Sequence, residues 1–308
     1  MKNKKYIRAG RIATGVFIML GVSPGADAQA QDAIRPYHIS VSDATLTDLR
    51  QRIKATRWPD KETVNDETQG VQLETMKKLA NYWATDYDWR KCEAKLNALP
   101  QFITTIDGVD IYFIHVRSKH KNALPKALSS GTMPSGLSAD EKNAYQQLDF
   151  FFKKGVGYAN EMGLRPQTLY GIGDSPTGLA AWMLDHDARS YELIARVFNG
   201  QKEGLTRDDI LDNITLYWIT NTAIPSARLY WEATQVAKGG FFDPRNVTIP
   251  VAVSVFPDEI YAAPQSWTKQ AYSKLIYFNK LSKGGHFAAW EQPQLFTEEM
   301  RAAFRSLR

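Results

Sequence analysis

The chain has 308 residues, of which 44% are hydrophobic, a formal net charge of +5 and a single cysteine, Cys92. This length and apolar content suffice for one large domain or two small ones. A single cysteine excludes an intramolecular disulfide and a cysteine-based metal site. Five basic residues lie in the first eleven positions, so the rest of the chain is near neutral and gives no argument for a nucleic-acid partner.

Residues 1–30 have the pattern of an export signal. The basic residues precede an apolar run at 12–22, and Ala28 to Ala30 form a small-x-small cleavage site. The run is too short to span a bilayer, although an uncleaved anchor is the alternative. We therefore expect cleavage after Ala30 and a mature chain that is periplasmic or secreted.

The next hundred residues predict helices followed by a β-hairpin. A short strand is expected within 34–41, and Ser42 is a candidate N-cap for the first helix. Apolar spacing predicts helices at 44–56, 73–82 and 87–96. Strands at 102–106 and 109–116 flank Asp107-Gly108, the dipeptide typical of a two-residue hairpin turn.

The middle of the chain is predicted to be helical. Amphipathic patterns indicate helices at 139–153, 191–198, 210–223 and 227–237. Thr206 begins a capping-box pattern ahead of the third of these helices. A break is expected between the last two, at 221–226.

Two polar segments in this region are candidate sites. Asp174 and Ser175 lie between glycines, but Pro176 and Thr177 occupy the places where a nucleophile turn requires glycine. We therefore predict a helix start there, with Ser175 or Asp174 as its N-cap. The run from Asp185 to Asp187 predicts no metal site, since adjacent residues on a helix point apart.

Two apolar runs near the end, 247–256 and 274–279, predict strands, and a helix is predicted from Pro293 to Leu307. Asp258 and Glu259 follow the first strand. His286 follows the second strand, directly after two glycines. Catalytic residues of open α/β sheets lie at such strand ends, and α/β-hydrolases place their acid and base in this order. We predict His286 as a base oriented by Glu259 or Asp258; a structural histidine beside a solvated acid is the alternative.

Whole motifs then resemble the bacterial branch of the microsomal-type epoxide hydrolases. The resemblance is carried by Ala-Thr-Arg-Trp-Pro-Asp at 55–60, Tyr-Asp-Trp-Arg-Lys at 87–91, the hairpin, Gly-Asp-Ser-Pro-Thr-Gly at 173–178, Phe-Pro-Asp-Glu at 256–259 and Gly-Gly-His-Phe-Ala-Ala-Trp at 284–290. Together these cover nearly all of residues 33–308. The resemblance implies an α/β-hydrolase-like fold, with an N-terminal region over 31–125, a helical cap over 126–240 and a C-terminal part over 241–308.

The resemblance also implies the chemistry. In that family an Asp attacks the epoxide carbon to form an ester, and a His-activated water hydrolyses the ester. Two cap tyrosines donate to the epoxide oxygen. Carried over by motif, His286 is the base, Glu259 its acid partner, and Tyr158 and Tyr230 the tyrosines, a pair that the residues alone do not single out among 14. The implied partners are a hydrophobic epoxide and water, with no cofactor and no metal.

One departure from the family decides how the function is interpreted. The family's His-Gly-Trp-Pro loop and its Gly-Gly-Asp-Trp-Gly nucleophile turn are absent, as though a segment had been removed at about Pro125/Lys126. Central strands of the sheet would be lost with it, so the remaining strands must pair directly or fray, and exposed apolar faces favour oligomerisation. Two functions compete: an epoxide hydrolase by descent, and a non-catalytic remnant or a pseudoenzyme that binds hydrophobic ligands. An esterase is disfavoured, because no serine turn follows the signal.

Overall fold

The computed structural model describes residues 18–20, 34–66, 68–106, 109–114, 133, 135–236 and 247–307. The chain forms two compact units, one from Met1–Ile39 and Lys95–Asn122, the other from Ser40–Ala94 and Ala123–Arg308. The predicted domain limits after residues 30, 125 and 240 lie outside the described residues and stay predictions. No helix in the described ranges is long and apolar enough to cross a membrane.

The first unit contains an antiparallel sheet with the strand order β1-β4-β3-β2. The strands are β1 Ile18–Leu20, β2 Arg35–Pro36, β3 Gln101–Ile106 and β4 Val109–Ile114. Ile106 pairs with Val109, which confirms the hairpin; its two turn residues lie outside the described ranges. The strand predicted over 34–41 is wrong in length, since Pro36 has no N–H with which to extend the ladder. β1 belongs to the predicted export signal, most of which is outside the described residues.

Three helices follow the predicted order in the first hundred residues: α1 Asp43–Lys54, α2 Leu73–Thr85 and α3 Trp89–Asn97. The side chain of Ser42 accepts a hydrogen bond from the Thr45 amide at 3.1 Å. The predicted N-cap is therefore confirmed, because this bond satisfies an amide that has no partner inside the helix.

The second unit is built mainly from helices. Those after residue 135 are α4 Ala139–Phe150, α5 Gly157–Leu164, α6 Tyr170–Asp174, α7 Pro176–Leu184, α8 Ala188–Phe198, α9 Arg207–Ile219 and α10 Ala223–Val236. Thr206 and Asp209 cap each other's backbone amides at the start of α9, which confirms the capping box. The helix predicted to reach residue 153 ends at Phe150, where the chain continues as a π-helical turn.

The break predicted at 221–226 is wrong in extent. α9 ends at Ile219, and Asn221 adopts a φ of 52°, a left-handed conformation that helix ends use and asparagine tolerates. The next helix then begins at Ala223, so Pro225 lies in its first turn. A proline is tolerated there because the amides of the first turn have no helical partner.

A two-stranded parallel sheet carries the last part of the chain. β5 Val251–Val255 pairs with β6 Leu275–Lys280, and the helices around them are α11 Gln265–Ala271, α12 Ala288–Glu291 and α13 Pro293–Ala303. The C-terminal helix predicted to Leu307 ends at Ala303 and continues as a 3-10 turn over Arg305–Leu307. β5 and β6 pair with each other directly, one of the two outcomes expected if central strands are missing.

A buried carboxylate ties α13 to this sheet. Glu299 accepts hydrogen bonds from Ser254 at 2.7 Å, Tyr277 at 3.1 Å and Asn279 at 3.0 Å. Three donors compensate for the loss of water around a buried carboxylate. The network therefore fixes the C-terminal helix against both strands, whose ends carry the candidate site.

Thr215→Val should destabilise the protein by about 1 to 3 kcal/mol, because it leaves a buried donor without an acceptor. The indole N–H of Trp83 donates to the Thr215 hydroxyl at 2.9 Å, and the two residues are 1% and 0% exposed. The change in unfolding free energy is measured by urea titration. Thr215→Ser keeps the hydroxyl and is the control; equal losses in both variants would contradict the role of this hydrogen bond.

Candidate active site

The loops after β5 and β6 meet at one edge of the parallel sheet. Asp258 forms an isolated parallel bridge with Gly285, and its amide donates to the Gly284 carbonyl at 3.1 Å. Because the strands are parallel, their carboxyl ends lie side by side, as in other α/β sites. This bridge brings the segment with the acids next to the segment with His286.

Both glycines before His286 lie where these loops approach each other closely. Gly284 has a φ of 104°, and a Cβ atom there would lie 2.8 Å from Phe256 Cδ1. A Cβ atom on Gly285 would lie 3.1 Å from the Asp258 carbonyl oxygen. A side chain at Gly284 would be strained and would clash, so the glycine pair sets the position of His286.

The side chain of Glu291 binds the backbone of the same loop. The sequence did not predict this role for Glu291. Its carboxylate accepts from the Gly285 amide at 2.6 Å and from the Phe287 amide at 3.1 Å, the two residues that flank His286. The side chain is 3% exposed, and burial raises its pKa although the two amides act in the opposite direction. The signal that could have indicated this role is the presence of a glutamate in the otherwise apolar motif 287–291.

His286 is hydrogen-bonded to Glu259. The distance from His286 Nδ1 to Glu259 Oε1 is 2.6 Å. Burial alone would lower the pKa of His286, but the hydrogen bond and charge of Glu259, with the charges of Asp187 and Glu291, raise it above the ordinary 6.5. Asp258 is exposed and joins the loop through its backbone, so the structure places Glu259, not Asp258, on the imidazole.

The two predicted tyrosines lie together. Tyr158 of α5 and Tyr230 of α10 make an edge-to-face contact with ring centroids 6.1 Å apart. Burial raises the pKa of both phenols, and the neighbouring Tyr230 adds to the shift of Tyr158. Both therefore keep their protons at neutral pH, the state in which a phenol can donate to a ligand oxygen.

His186 connects the tyrosines to the base, and the sequence reasoning missed this as well. Its Nε2 lies 3.0 Å from the Tyr158 hydroxyl, and its ring stacks on His286 with centroids 4.4 Å apart. Contrary to the prediction that they point apart, the side chains of His186 and Asp187 are hydrogen-bonded at 2.8 Å. They lie in the turn before α8, not inside a helix, and Asp187 is the N-cap of α8.

No cluster in the described ranges has the three or more His, Cys, Asp or Glu groups that could hold a metal ion. Ser175 caps α7 by accepting from the Gly178 amide at 3.0 Å, which confirms the predicted helix start. Asp174 is exposed and forms an ion pair with Arg52 at 3.1 Å. Neither residue shows a contact with the base.

A carboxylate and a histidine at the ends of adjacent parallel strands, with helices in the preceding segment, define the class as α/β-hydrolase. Solved structures agree: the Aspergillus niger epoxide hydrolase matches with a TM-score of 0.71 at 20% identity, covering 91% of this chain and 98% of that one. The juvenile hormone epoxide hydrolase of the silkworm Bombyx mori matches with a TM-score of 0.67 at 22% identity, covering 90% and 95%. The predicted fold class is confirmed.

Sequence comparisons give the family. Residues 34–135 match the model described as epoxide hydrolase N terminus. A putative epoxide hydrolase of Stigmatella aurantiaca (strain DW4/3-1) is 34% identical over 384 residues, covering 89% of this chain and 86% of the relative. Epoxide hydrolase 1 of Sus scrofa is 25% identical over 411 residues, covering 90% of each chain. This chain belongs to the epoxide hydrolase family, as its motifs predicted.

Glu259→Gln should lower the pKa of His286 relative to the parent protein, because the amide can still pair with the ring but carries no charge. The pKa is followed through the ring protons of His286 by NMR. Asp258→Asn is the matched control and should leave it unchanged. A shift in the control with none in Glu259→Gln would assign Asp258 as the partner.

The raised pKa of His286 also predicts how stability depends on pH. The folded protein binds this proton more tightly than the unfolded chain, so the contribution is fully present below pH 6.5 and is lost as pH rises through the raised pKa. The difference in unfolding free energy between the parent and His286→Gln should therefore be larger at pH 6 than at pH 9. Urea titrations at both pH values measure it, and a difference that grows with pH contradicts the assignment.

Proposed function

We propose that this chain descends from hydrolases of hydrophobic epoxides, which yield vicinal diols, and that its own turnover is impaired or lost. The proposed descent rests on one observation: His286, Glu259 and Tyr158 form one cluster, in which His186 contacts both His286 and Tyr158. A base pair beside a phenol suits epoxide opening, because a proton must leave water while another reaches the epoxide oxygen.

The proposed roles follow from these contacts. Glu259 holds Nδ1 of His286, so the opposite ring nitrogen, Nε2, is the one that can take a proton from water. Tyr158 and Tyr230 supply hydroxyl protons to the ligand oxygen. The aromatic rings of His186 and Phe287, 5.1 Å apart, add apolar surface suited to a hydrophobic epoxide.

Impairment is proposed because the sequence after the predicted signal contains no motif of a nucleophile turn. From residue 31 onward the chain has no Gly-x-Asp-x-Gly and no Gly-x-Ser-x-Gly; a Gly-x-Ser-x-Gly at 21–25 falls within the predicted signal. The 384-residue alignment with the Stigmatella relative is longer than this whole chain of 308 residues, which supports an internal gap. Loss of one member of a catalytic set commonly removes most of the rate.

The second candidate function is a non-catalytic protein that binds hydrophobic ligands. The half-buried tyrosine pair and the stacked histidines favour it, since they keep an aromatic, hydrogen-bonding lining without the attacking group. Export to the periplasm or beyond remains part of the proposal, on the strength of the basic residues and the apolar run before Ala30. Cleavage there would also remove β1.

Purified chain incubated with an aryl epoxide should give no diol above the uncatalysed rate. A second chain carries the relative's unmatched segment between Pro125 and Lys126, and it should form diol at a rate at least two orders of magnitude higher, because it regains a nucleophile. Product is measured by chromatography. The same insertion with His286→Ala is the control and should be inactive.

Diol formation by the parent chain that His286→Ala abolishes would contradict the proposed impairment. If both chains are folded and neither binds or converts an aryl epoxide, the proposed descent of the site is contradicted.

A further inference from the structure

A second carboxylate–imidazole pair stacks against the first one. His186 Nδ1 lies 2.8 Å from Asp187 Oδ2, and these side chains are only 15% and 13% exposed. Asp187 also accepts from the Ser190 amide at 2.9 Å as the N-cap of α8. Two constraints thus fix this carboxylate, and the carboxylate in turn fixes the His186 ring.

The chemistry of the partners determines where the protons lie. An ionised aspartate can only accept hydrogen bonds, so the proton of a neutral His186 sits on Nδ1. Hydrogen bonds from His186 and from the Ser190 amide lower the pKa of Asp187 despite its burial, which keeps it ionised. The free lone pair is then on Nε2, and its partner 3.0 Å away, the Tyr158 hydroxyl, must be the donor.

The position of the Tyr158 ring depends on the same histidine. Its centroid lies 4.9 Å from that of His186, which itself lies 4.4 Å from that of His286. The His186 ring is thus placed between the phenol and the base. A residue at position 186 that lacks Nε2 but keeps an aromatic ring would retain the packing of the rings and release the Tyr158 hydroxyl.

We propose that His186, oriented by Asp187, is the positioning residue for Tyr158: it holds the phenol beside His286 and accepts its hydroxyl hydrogen bond in the ligand-free site. The importance of Tyr158 for a ligand rests on the proposed function, whereas the hydrogen-bond chain from Asp187 to Tyr158 does not. His186 acts on the ligand through Tyr158 only.

The chain of hydrogen bonds is tested by nitrogen NMR of protein labelled in its histidines. The His186 signals, assigned with His186→Phe, should show a protonated Nδ1 and an unprotonated Nε2. Tyr158→Phe should shift the Nε2 signal without changing the tautomer, and Asp187→Asn should change the tautomer. An Nε2 signal that does not respond to Tyr158→Phe overturns the proposal.

The role toward a ligand is tested by the affinity for an aryl epoxide, measured by titration in two backgrounds. His186→Phe should weaken binding by about three- to tenfold, because the ligand must then order a phenol that the parent protein already holds in place. His186→Gln should retain most of the affinity, because its amide oxygen can accept from the phenol. In a Tyr158→Phe background, His186→Phe should change affinity less than twofold. His38→Phe, in the other unit, is the matched control.

An equal loss in both backgrounds would mean that His186 acts without Tyr158, and would overturn the proposal. If neither the parent nor any variant binds the epoxide while the NMR pattern is as expected, the proposed function fails and the assignment of His186 stands. The two measurements therefore separate failure of this inference from failure of the proposed function.

Discussion

The hydrogen bond between His286 and Glu259 is the interaction on which the rest of the site depends. It forms because two parallel strands end side by side and because their loops approach more closely than side chains would allow at Gly284. Glu291 then holds the amides on either side of His286. Backbone geometry thus decides where the imidazole lies, and the Glu259 carboxylate decides which of its nitrogens faces the site.

Carboxylates around the base set its protonation. Burial by itself would favour the neutral imidazole, but Glu259, Asp187 and Glu291 together favour the charged one. A raised pKa means that, at a given pH, a smaller fraction of His286 is free to accept a proton from water. Any water-activating chemistry at this site should therefore strengthen as the pH rises through that pKa. Asp187, the hydrogen-bond partner of the stacked His186, is one of the groups whose charge raises the pKa of His286.

The sequence predicted those features that local chemistry determines. Ser42 and Thr206 were recognised as caps because an N-cap hydroxyl has a defined partner two or three residues away. The Asp-Gly dipeptide indicated the hairpin in the same way. His286 could be paired with the acids at 258 and 259, because strand ends and the acid-base order are read along the chain. Only the fold shows that Glu259, not Asp258, contacts the imidazole. The two tyrosines, in contrast, came from the family resemblance alone.

The features that escaped prediction depend on contacts distant in sequence or on a local exception. Nothing near His186 in the chain reveals that Tyr158, 28 residues earlier, or His286, 100 residues later, would lie against its ring. The break predicted over 221–226 is too long, because whether Pro225 can lie in the first turn of a helix depends on where the preceding helix ends. Glu291 was passed over because a glutamate among apolar residues has many uses, and only the fold brings it under the His286 loop.

The central claim is that the chain keeps a water-activating histidine and its acid but has lost the carboxylate that would attack an epoxide. The intact mass of purified His286→Ala, taken after incubation with an aryl epoxide, tests it most directly, because an ester formed at a carboxylate persists when no histidine activates water to cleave it. The account predicts an unchanged mass. A mass increase equal to one epoxide, located on an aspartate by peptide mapping, would contradict it.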